Sequence, residues 1–157
     1  MTSLFAYGTL MAREALREAL GERADALVLR PARLPGWRRV WNVYRQEWMG
    51  GVLNVEPCAD TVVVGMLVEG LRPLDFEVLD LQESTHLPRE TVYVEPLDSG
   101  EAVPAEVYRR RHGNHKGRPS GRYRAVVLDR AYHAGWEIYE NVCRASVDAA
   151  GNLLRFG

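Results

Sequence analysis

The sequence predicts an α+β fold, in which a small mixed or antiparallel β-barrel carries its helices on the periphery. Most candidate strands follow one another closely along the chain, and no regular alternation of strand and helix indicates a parallel sheet. The length of 157 residues suits one domain with a core large enough for stable folding. We therefore expect residues 1–157 to form a single domain whose sheet curls into a barrel.

The chain opens on a strand, a tight loop and a helix. Leu4–Tyr7 is a short apolar segment typical of a strand, and Gly8 breaks it. Apolar residues then recur at helical spacing, at Ala12, Ala15, Leu16, Ala19 and Leu20. Gly21 stands where a helix C-terminal cap is expected.

The middle of the chain is rich in strand-forming residues. Four strands are predicted, over Ala26–Arg30, Trp37–Tyr44, Gly51–Glu56 and Thr61–Glu69. Turn residues such as Pro35, Gly36 and Pro57 separate them.

A second helix is predicted to start at Pro73, because proline is favoured in the first helical turn. Its apolar stripe consists of Leu74, Val78 and Leu81, and the helix is expected to end near Glu83 and Ser84.

Two strands and a last helical region complete the prediction. The strands cover Glu90–Glu95 and Ala105–Arg109. Ser120 is a suitable N-cap for the helical region, which Gly135 interrupts.

Composition excludes several classes of protein. An apolar content of 46% and a net charge of −1 exclude a disordered chain. The longest apolar run covers residues 62–68, far short of the ~20 residues that a membrane span needs. The first twelve residues carry no Lys or Arg, so no signal peptide is expected. We predict a cytoplasmic protein in which Cys58 and Cys143 are reduced, buried thiols.

The first candidate site is the segment Tyr7–Leu10, at the predicted junction of strand and helix. Gly8 permits a sharp backbone turn, and the amides that follow would be unpaired helix N-terminal donors. Such a position binds anions through the amides and the helix dipole. The alternative is a structural turn in which Thr9 caps the helix.

The second candidate is Glu83, at the expected C-terminus of the second helix. The helix dipole disfavours negative charge there, and Asp80 adds a like charge one turn earlier. Both effects would raise the carboxyl pKa, as a general base working near neutrality requires. The alternative is a solvated acidic helix face.

The segment from 109 to 124 is basic and contains no acid. It could contact nucleic acid by charge, with Tyr123 stacking on a base, but the balanced charge of the whole chain disfavours this. We interpret it as a mobile surface loop that attracts an anionic substrate. His112 and His115 do not indicate a metal site, because neighbouring arginines repel a dication and no Cys or acid completes a ligand set.

Five motifs occur together in an order known from one family. They are Phe5–Leu10 (FAYGTL), Val64–Leu67 (VGML), Leu79–Glu83 (LDxxE), Arg89 with Val92 and Val94, and Pro119–Tyr123 (PSxxY). On these motifs the chain resembles the gamma-glutamylcyclotransferase-like family, which includes the gamma-glutamylamine cyclotransferases and plant avirulence-induced relatives.

The resemblance implies a β-barrel with one pocket that joins the two candidates. Its loop would hold the carboxylate of a gamma-glutamyl substrate through backbone amides, and a glutamate would act as general acid and base. In this sequence the substrate-binding positions are Tyr7, Gly8, Thr9, Leu10 and Tyr123, and the catalytic position is Glu83.

The activity implied by the resemblance is the conversion of a gamma-glutamyl amine or gamma-glutamyl amino acid to 5-oxoproline and a free amine. The reaction needs no metal, nucleotide or other cofactor, so none is expected. The expected partner is a small-molecule gamma-glutamyl substrate rather than a membrane or a nucleic acid. The sequence leaves the oligomeric state open.

Two positions depart from the family pattern. Ser84 stands where a glycine is common, and Leu87 stands where an aromatic residue is common. These departures keep an alternative open, namely a non-catalytic protein that binds a small molecule in the same pocket.

Overall fold

The computed structural model describes residues 2–83 and 87–156. Within them, six strands are present: β1 (Thr2–Ala6), β2 (Val28–Arg45), β3 (Gly50–Leu71), β4 (Arg89–Pro96), β5 (Val103–Tyr108) and β6 (Val147–Asp148). The α-helices of the same residues are α1 (Arg13–Leu20), α2 (Pro73–Glu83), α3 (Gly121–Ala134) and α4 (Trp136–Ala145). Short 3₁₀ turns cover Thr9–Met11, Gly21–Ala26 and Gln46–Trp48.

Five of these strands form a closed barrel, as predicted. The order is β3-β1-β5-β4-β2, and β2 pairs again with β3 to complete the ring. The pairing of β1 with β5 is parallel, whereas the other pairs in the ring are antiparallel, so the barrel is mixed. β6 lies outside the ring and pairs with the second half of β2. Closure leaves no long free edge in the ring.

The predicted breaks at Pro35, Gly36 and Pro57 are wrong. β2 and β3 are two long strands that stay paired on both sides of these residues. The register shifts between Pro35 and Trp37, and Gly36 adopts a φ of 81° at that point. A bulge with a glycine in the left-handed region bends a strand without ending it. The bend directs the second half of this hairpin, residues 37–57, which we call the distal hairpin.

α2 has the predicted position but buries a different face. Leu74 and Leu81 are 64% and 84% exposed, while Phe76, Leu79 and Asp75 are buried. Asp75 tolerates burial because it accepts a hydrogen bond from the backbone amide of Arg72 at 2.8 Å and has arginine partners. The predicted apolar stripe is therefore wrong, and the helix packs through Phe76 and Leu79.

The remaining elements agree closely with expectation. Ser120 caps α3 by accepting a hydrogen bond from the amide of Tyr123 at 3.1 Å, and Gly135 separates α3 from α4. Cys58 and Cys143 are free but only half-buried. Across residues 2–83 and 87–156, none of the helices has the length and apolar character needed to cross a membrane.

Candidate active site

The six residues singled out from the sequence line one small cavity at an end of the barrel. Its volume is about 40 Å³, and we call it the inner cavity. The loop after β1, the end of α2 and the start of α3 meet there and contribute Tyr7, Gly8, Thr9, Leu10, Glu83 and Tyr123. The other lining residues are mostly apolar: Leu4, Phe5, Ala6, Leu53, Leu87 and Tyr108.

The loop from Tyr7 to Leu10 is shaped by a close approach at Gly8. A Cβ atom on Gly8 would lie 2.9 Å from the hydroxyl oxygen of Tyr123, closer than real side chains permit. The chain then makes a single 3₁₀ turn, in which the amide of Met11 donates to the carbonyl of Gly8 at 3.2 Å. Glycine at this position therefore lets the loop and Tyr123 lie side by side.

The expected helix N-terminus is not at this loop. α1 begins at Arg13, and its N-cap is Ala12, so Thr9 does not cap it. The dipole of a full helix therefore does not act at Gly8, because its effect is confined to the first turn. An anion at this loop would therefore meet the amides of the loop and not the N-terminus of α1.

Glu83 is the last residue of α2, and its side chain is only 14% exposed. Arg45 at the end of β2 donates from Nη1 to Oε2 of Glu83 at 3.0 Å. The same guanidinium donates to the carbonyl of Gln82 at 3.0 Å and so also caps the helix. The geometry fixes the Glu83 carboxylate against a cation from the distal hairpin.

The ion pair with Arg45 lies outside the prediction made for Glu83, which considered only the helix end and Asp80. Asp80 is itself engaged, since it accepts a hydrogen bond from the hydroxyl of Tyr108 at 2.6 Å and pairs with Arg89 at 3.3 Å. The surroundings of the Glu83 carboxylate therefore include a cation as well as an acid.

Tyr123 is held between two tryptophans and faces the cavity. Its ring makes edge contacts with Trp41 and Trp48, at centroid distances of 5.5 and 5.1 Å. Burial, and then the charge of Glu83, raise the pKa of Tyr123 well above its usual value. Tyr123 therefore stays a neutral hydroxyl at every pH near neutrality.

Tyr7 takes a structural hydrogen bond. Its hydroxyl donates to the backbone carbonyl of Tyr108 on β5, which ties the end of β1 to its parallel neighbour. Burial is the main cause that raises the pKa of Tyr7, followed by Tyr123 and Glu83. The Tyr7 hydroxyl is therefore engaged with the protein backbone.

A second, larger space opens on the other side of Glu83. It has a volume of about 680 Å³, and we call it the outer cleft. Its lining is mostly polar or charged: Thr9, Arg45, Glu47, Trp48, Gln82, Glu83, Arg122 and Val126. Thr9 and Glu83 belong to both spaces, so they stand at the boundary between them.

The sequence matches a known family over most of its length. The family model described as "Gamma-glutamyl cyclotransferase, AIG2-like" matches residues 4–139. The chain belongs to this family. The resemblance drawn from the five motifs is thereby confirmed, and family and fold together support a gamma-glutamyl cyclotransferase-like activity.

Solved structures show the same fold at low sequence identity. A structure described as a gamma-glutamyl cyclotransferase is 18% identical, with a TM-score of 0.78 over 98% of this chain and 93% of that one. An uncharacterized human protein is 19% identical, with a TM-score of 0.76 over 89% of this chain and 83% of that one. A protein from Arabidopsis thaliana is 21% identical, with a TM-score of 0.58 over 75% and 72%. The comparison with curated proteins found no match.

The two departures from the pattern of this cyclotransferase family have different outcomes. Leu87 is buried and lines the inner cavity, so an apolar side chain replaces an aromatic one in its wall. Ser84 lies outside the described residues. The change at Leu87 alters the shape of the cavity but leaves the loop and Glu83 facing it.

The basic segment is tied to the distal hairpin, contrary to the expected mobile loop. The amides of Asn114 and His115 both donate to the carbonyl of Asn42, at 2.9 and 3.0 Å. Arg109 pairs with Glu90 at 3.1 Å. Arg122 lines the outer cleft, where its guanidinium lies 5.0 Å from the ring centroid of Trp48.

Sequence reasoning missed Arg45, Leu53 and Arg39. The first two reach the site only because the bulged hairpin bends toward it, which no local pattern reports. Arg39 did leave a signal, because strand alternation places it on one face with Trp37, Trp41 and Val43. A charge in that position indicates a buried role.

Proposed function

We propose that the protein converts a gamma-glutamyl amine or gamma-glutamyl amino acid to 5-oxoproline and a free amine, with Glu83 as general acid and base. The observation that carries this proposal is the position of Glu83 at the boundary of the inner cavity and the outer cleft. A reaction that splits a substrate into two parts needs its proton carrier at such a boundary.

The inner cavity suits the glutamyl end of the substrate. Its volume of about 40 Å³ holds ~3 water molecules, so it accepts a short chain rather than a whole substrate. The α-carboxylate would accept hydrogen bonds from the amides of Gly8, Thr9 and Leu10. The neutral hydroxyl of Tyr123 lies beside Gly8 and would contact the same end.

The outer cleft suits the group attached to the γ-carbonyl. It is open and much larger, so it can take leaving groups of different length. Charged side chains of both signs line it together with Trp48 and Val126, so it can contact both polar and apolar parts of a leaving group.

In the reaction, Glu83 takes a proton from the α-ammonium of the substrate. The freed amine attacks the γ-carbonyl carbon of the same molecule, and a new C–N bond closes a five-membered ring. The tetrahedral intermediate collapses, the original amide C–N bond breaks, and Glu83 returns its proton to the leaving nitrogen. The new ring nitrogen loses its second proton to the released amine, so the products are 5-oxoproline and an ammonium ion. All atoms of the substrate are found in the two products, and no water is consumed.

Positioning accounts for much of the rate in such a reaction. Nucleophile and carbonyl are tethered, and a well-oriented ring closure supplies ~7–11 kcal/mol of the barrier. A positioned acid-base group contributes a further ~10²–10⁴-fold. The hydrogen bond from Arg45 to Oε2 orients the Glu83 carboxylate, and the bond to the Gln82 carbonyl fixes Arg45 in turn, so that one group can serve both proton transfers.

The test is release of 5-oxoproline and amine, measured together by mass spectrometry. The panel contains gamma-glutamyl amino acids, glutathione and the gamma-glutamyl-lysine isopeptide. Glu83→Gln keeps size but removes the base, so release should fall by ~10²–10⁴-fold. Glu77→Gln is the matched control, because Glu77 is exposed on the same helix, and it should retain wild-type release.

Two results would contradict the proposal. Wild-type release by a folded Glu83→Gln protein would exclude Glu83 as the proton carrier. Saturable binding of a gamma-glutamyl compound by the wild-type protein, with no product from any compound, would establish a binding protein that uses the same pocket.

A further inference from the structure

Arg39 places a buried guanidinium in hydrogen-bond contact with the loop that lines the inner cavity. The residue lies on β2 and is 1% exposed. Its Nε donates to the carbonyl of Tyr7 at 2.9 Å, and its Nη2 donates to the carbonyl of Val64 at 2.7 Å. Its Nη1 donates to Oδ1 of Asn141 on α4. One hydrogen bond of this set therefore acts on the first peptide of the loop.

The charge of Arg39 is solvated but not neutralised. Throughout residues 2–83 and 87–156, its hydrogen-bond partners are neutral groups, and no carboxylate forms an ion pair with it. Asn141 cannot turn away, because its Oδ1 also accepts from the amide of Val64 at 2.8 Å and its Nδ2 donates to Val62 at 3.0 Å. Burial lowers the pKa of Arg39 from its usual value, yet a guanidinium stays charged near neutrality.

A buried cation without a counter-ion is costly, and the cost is recovered when an anion binds nearby. The loop whose Tyr7 carbonyl Arg39 holds lines the inner cavity. In a trans peptide the C=O and N–H point in opposite directions, so the bond from Arg39 directs the amide of Gly8 away from the guanidinium. A charge-assisted bond to the carbonyl also polarises the peptide and strengthens that amide as a donor.

We infer that Arg39 is a positioning residue for the carboxylate end of the substrate, acting through the peptide between Tyr7 and Gly8. It supplies the positive potential that α1, which begins only at Arg13, does not supply at this loop. This inference rests on the proposed function, because it assigns the anion at the loop as the substrate α-carboxylate.

The test places a negative charge beside Arg39 and leaves the arginine itself unchanged. Asn141→Asp replaces an amide oxygen that already touches the guanidinium by a carboxylate of the same shape. Binding of 5-oxoproline and of its uncharged carboxamide is measured by calorimetry on each folded variant. Affinity for 5-oxoproline should fall by about tenfold or more, and affinity for the carboxamide should change by less than about threefold.

Three further variants separate charge from structure. Asn141→Leu removes the amide without adding a charge, so it should lower stability but retain the preference for 5-oxoproline over the carboxamide. Arg39→Lys keeps the charge and should retain more of that preference than Arg39→Met. With substrate, Asn141→Asp should raise KM while kcat stays within about threefold of wild type, because the reacting atoms are not touched.

Each outcome has a distinct meaning. If the wild-type protein binds 5-oxoproline and Asn141→Asp loses affinity for both ligands equally, or for neither, the inference about Arg39 is wrong and the proposed function stands. If the wild-type protein binds neither ligand and releases no 5-oxoproline from the panel, both are wrong.

Discussion

The inner cavity and the outer cleft share Thr9 and Glu83 but differ in size, lining and origin. The inner cavity measures about 40 Å³ and is lined by apolar groups, tyrosines and the backbone of one loop. The outer cleft measures about 680 Å³ and is lined mainly by charged and polar side chains. A small, fixed space suits the part of the substrate that is always the same, and a large, open one suits the part that varies.

The two spaces also belong to different parts of the fold. The inner cavity lies against β1, whose residues are paired on both sides within the barrel. The outer cleft is lined by the tip of the distal hairpin, with Arg45, Glu47 and Trp48, and by Arg122 of α3. Under the proposed function, recognition of the glutamyl end would therefore depend on the packed core, whereas recognition of the leaving group would depend on side chains of the hairpin tip and of α3.

The largest expected effect of a change in the inner cavity is that of Gly8→Ala. The added methyl group would meet the Tyr123 hydroxyl at 2.9 Å, and Tyr123 cannot retreat because two tryptophans flank it. Displacement of the loop by a fraction of an ångström should lower kcat/KM by ~10²-fold. Steady-state release of 5-oxoproline measures the loss.

Two companion variants identify the cause of that loss. Gly121→Ala is the matched control, since its methyl group meets no atom within 4 Å, and it should leave kcat/KM unchanged. Gly8→Ala combined with Tyr123→Phe removes the oxygen that the methyl group meets, so the free energies of unfolding should be non-additive. Additive losses would contradict the steric explanation.

The buried tyrosines give the inner cavity a characteristic dependence of stability on pH. Tyr7 and Tyr123 have raised pKa values in the folded protein, mainly because of burial. Their contribution to stability is constant below the unfolded pKa of ~10 and is lost as pH rises toward the folded values, since only the unfolded chain then releases the protons. The free energy of unfolding should fall by about 1.4 kcal/mol per pH unit for each tyrosine.

Urea denaturation at a series of alkaline pH values measures this slope. Tyr123→Phe removes one such group and should make the slope shallower by about 1.4 kcal/mol per pH unit. A variant with the wild-type slope would show that Tyr123 ionises as readily in the folded protein as in the unfolded chain.

A smaller effect on kcat/KM, which depends on the leaving group, is expected from a substitution in the outer cleft. Arg122→Gln removes a cation that lies over Trp48 and lines the cleft. We expect kcat/KM to fall by up to about tenfold for substrates whose leaving group carries a carboxylate, and less for uncharged leaving groups. Affinity for 5-oxoproline should not change. Arg124→Gln, on the same helix but outside the cleft, is the control, and an equal effect of both variants would refute a specific role of Arg122.

The sequence predicted a barrel from strands that follow one another closely, and β2 with β3 and β4 with β5 are such pairs. The pairs that close the ring, β1 with β3 and β5 and β2 with β4, join strands far apart in the chain. The prediction of a strand break failed at Pro35 and Gly36, because a glycine in a bulge and a glycine in a turn have the same local sequence signature. The bulge keeps β2 paired with β3, and the resulting bend brings Arg45 and Leu53 to the site. Such placement depends on long-range pairing, which no spacing in the sequence reports.

The candidate residues were predicted more completely than their surroundings. Ordered motifs identified Tyr7 to Leu10, Glu83 and Tyr123, and all six line one cavity. Their electrostatic setting was not predicted. Arg45, which pairs with Glu83, is 38 residues away from it in the chain. Arg39, which holds the Tyr7 carbonyl, is 32 residues away from Tyr7.

The most direct test of the central claim is a crystal structure of Glu83→Gln with an uncleaved gamma-glutamyl amino acid bound. If the two spaces bind different ends of the substrate, the α-carboxylate will lie on the amides of the loop in the inner cavity. The γ-amide will lie beside residue 83, and the leaving group will lie in the outer cleft. A substrate bound in the opposite orientation, or held entirely in the outer cleft, would contradict it.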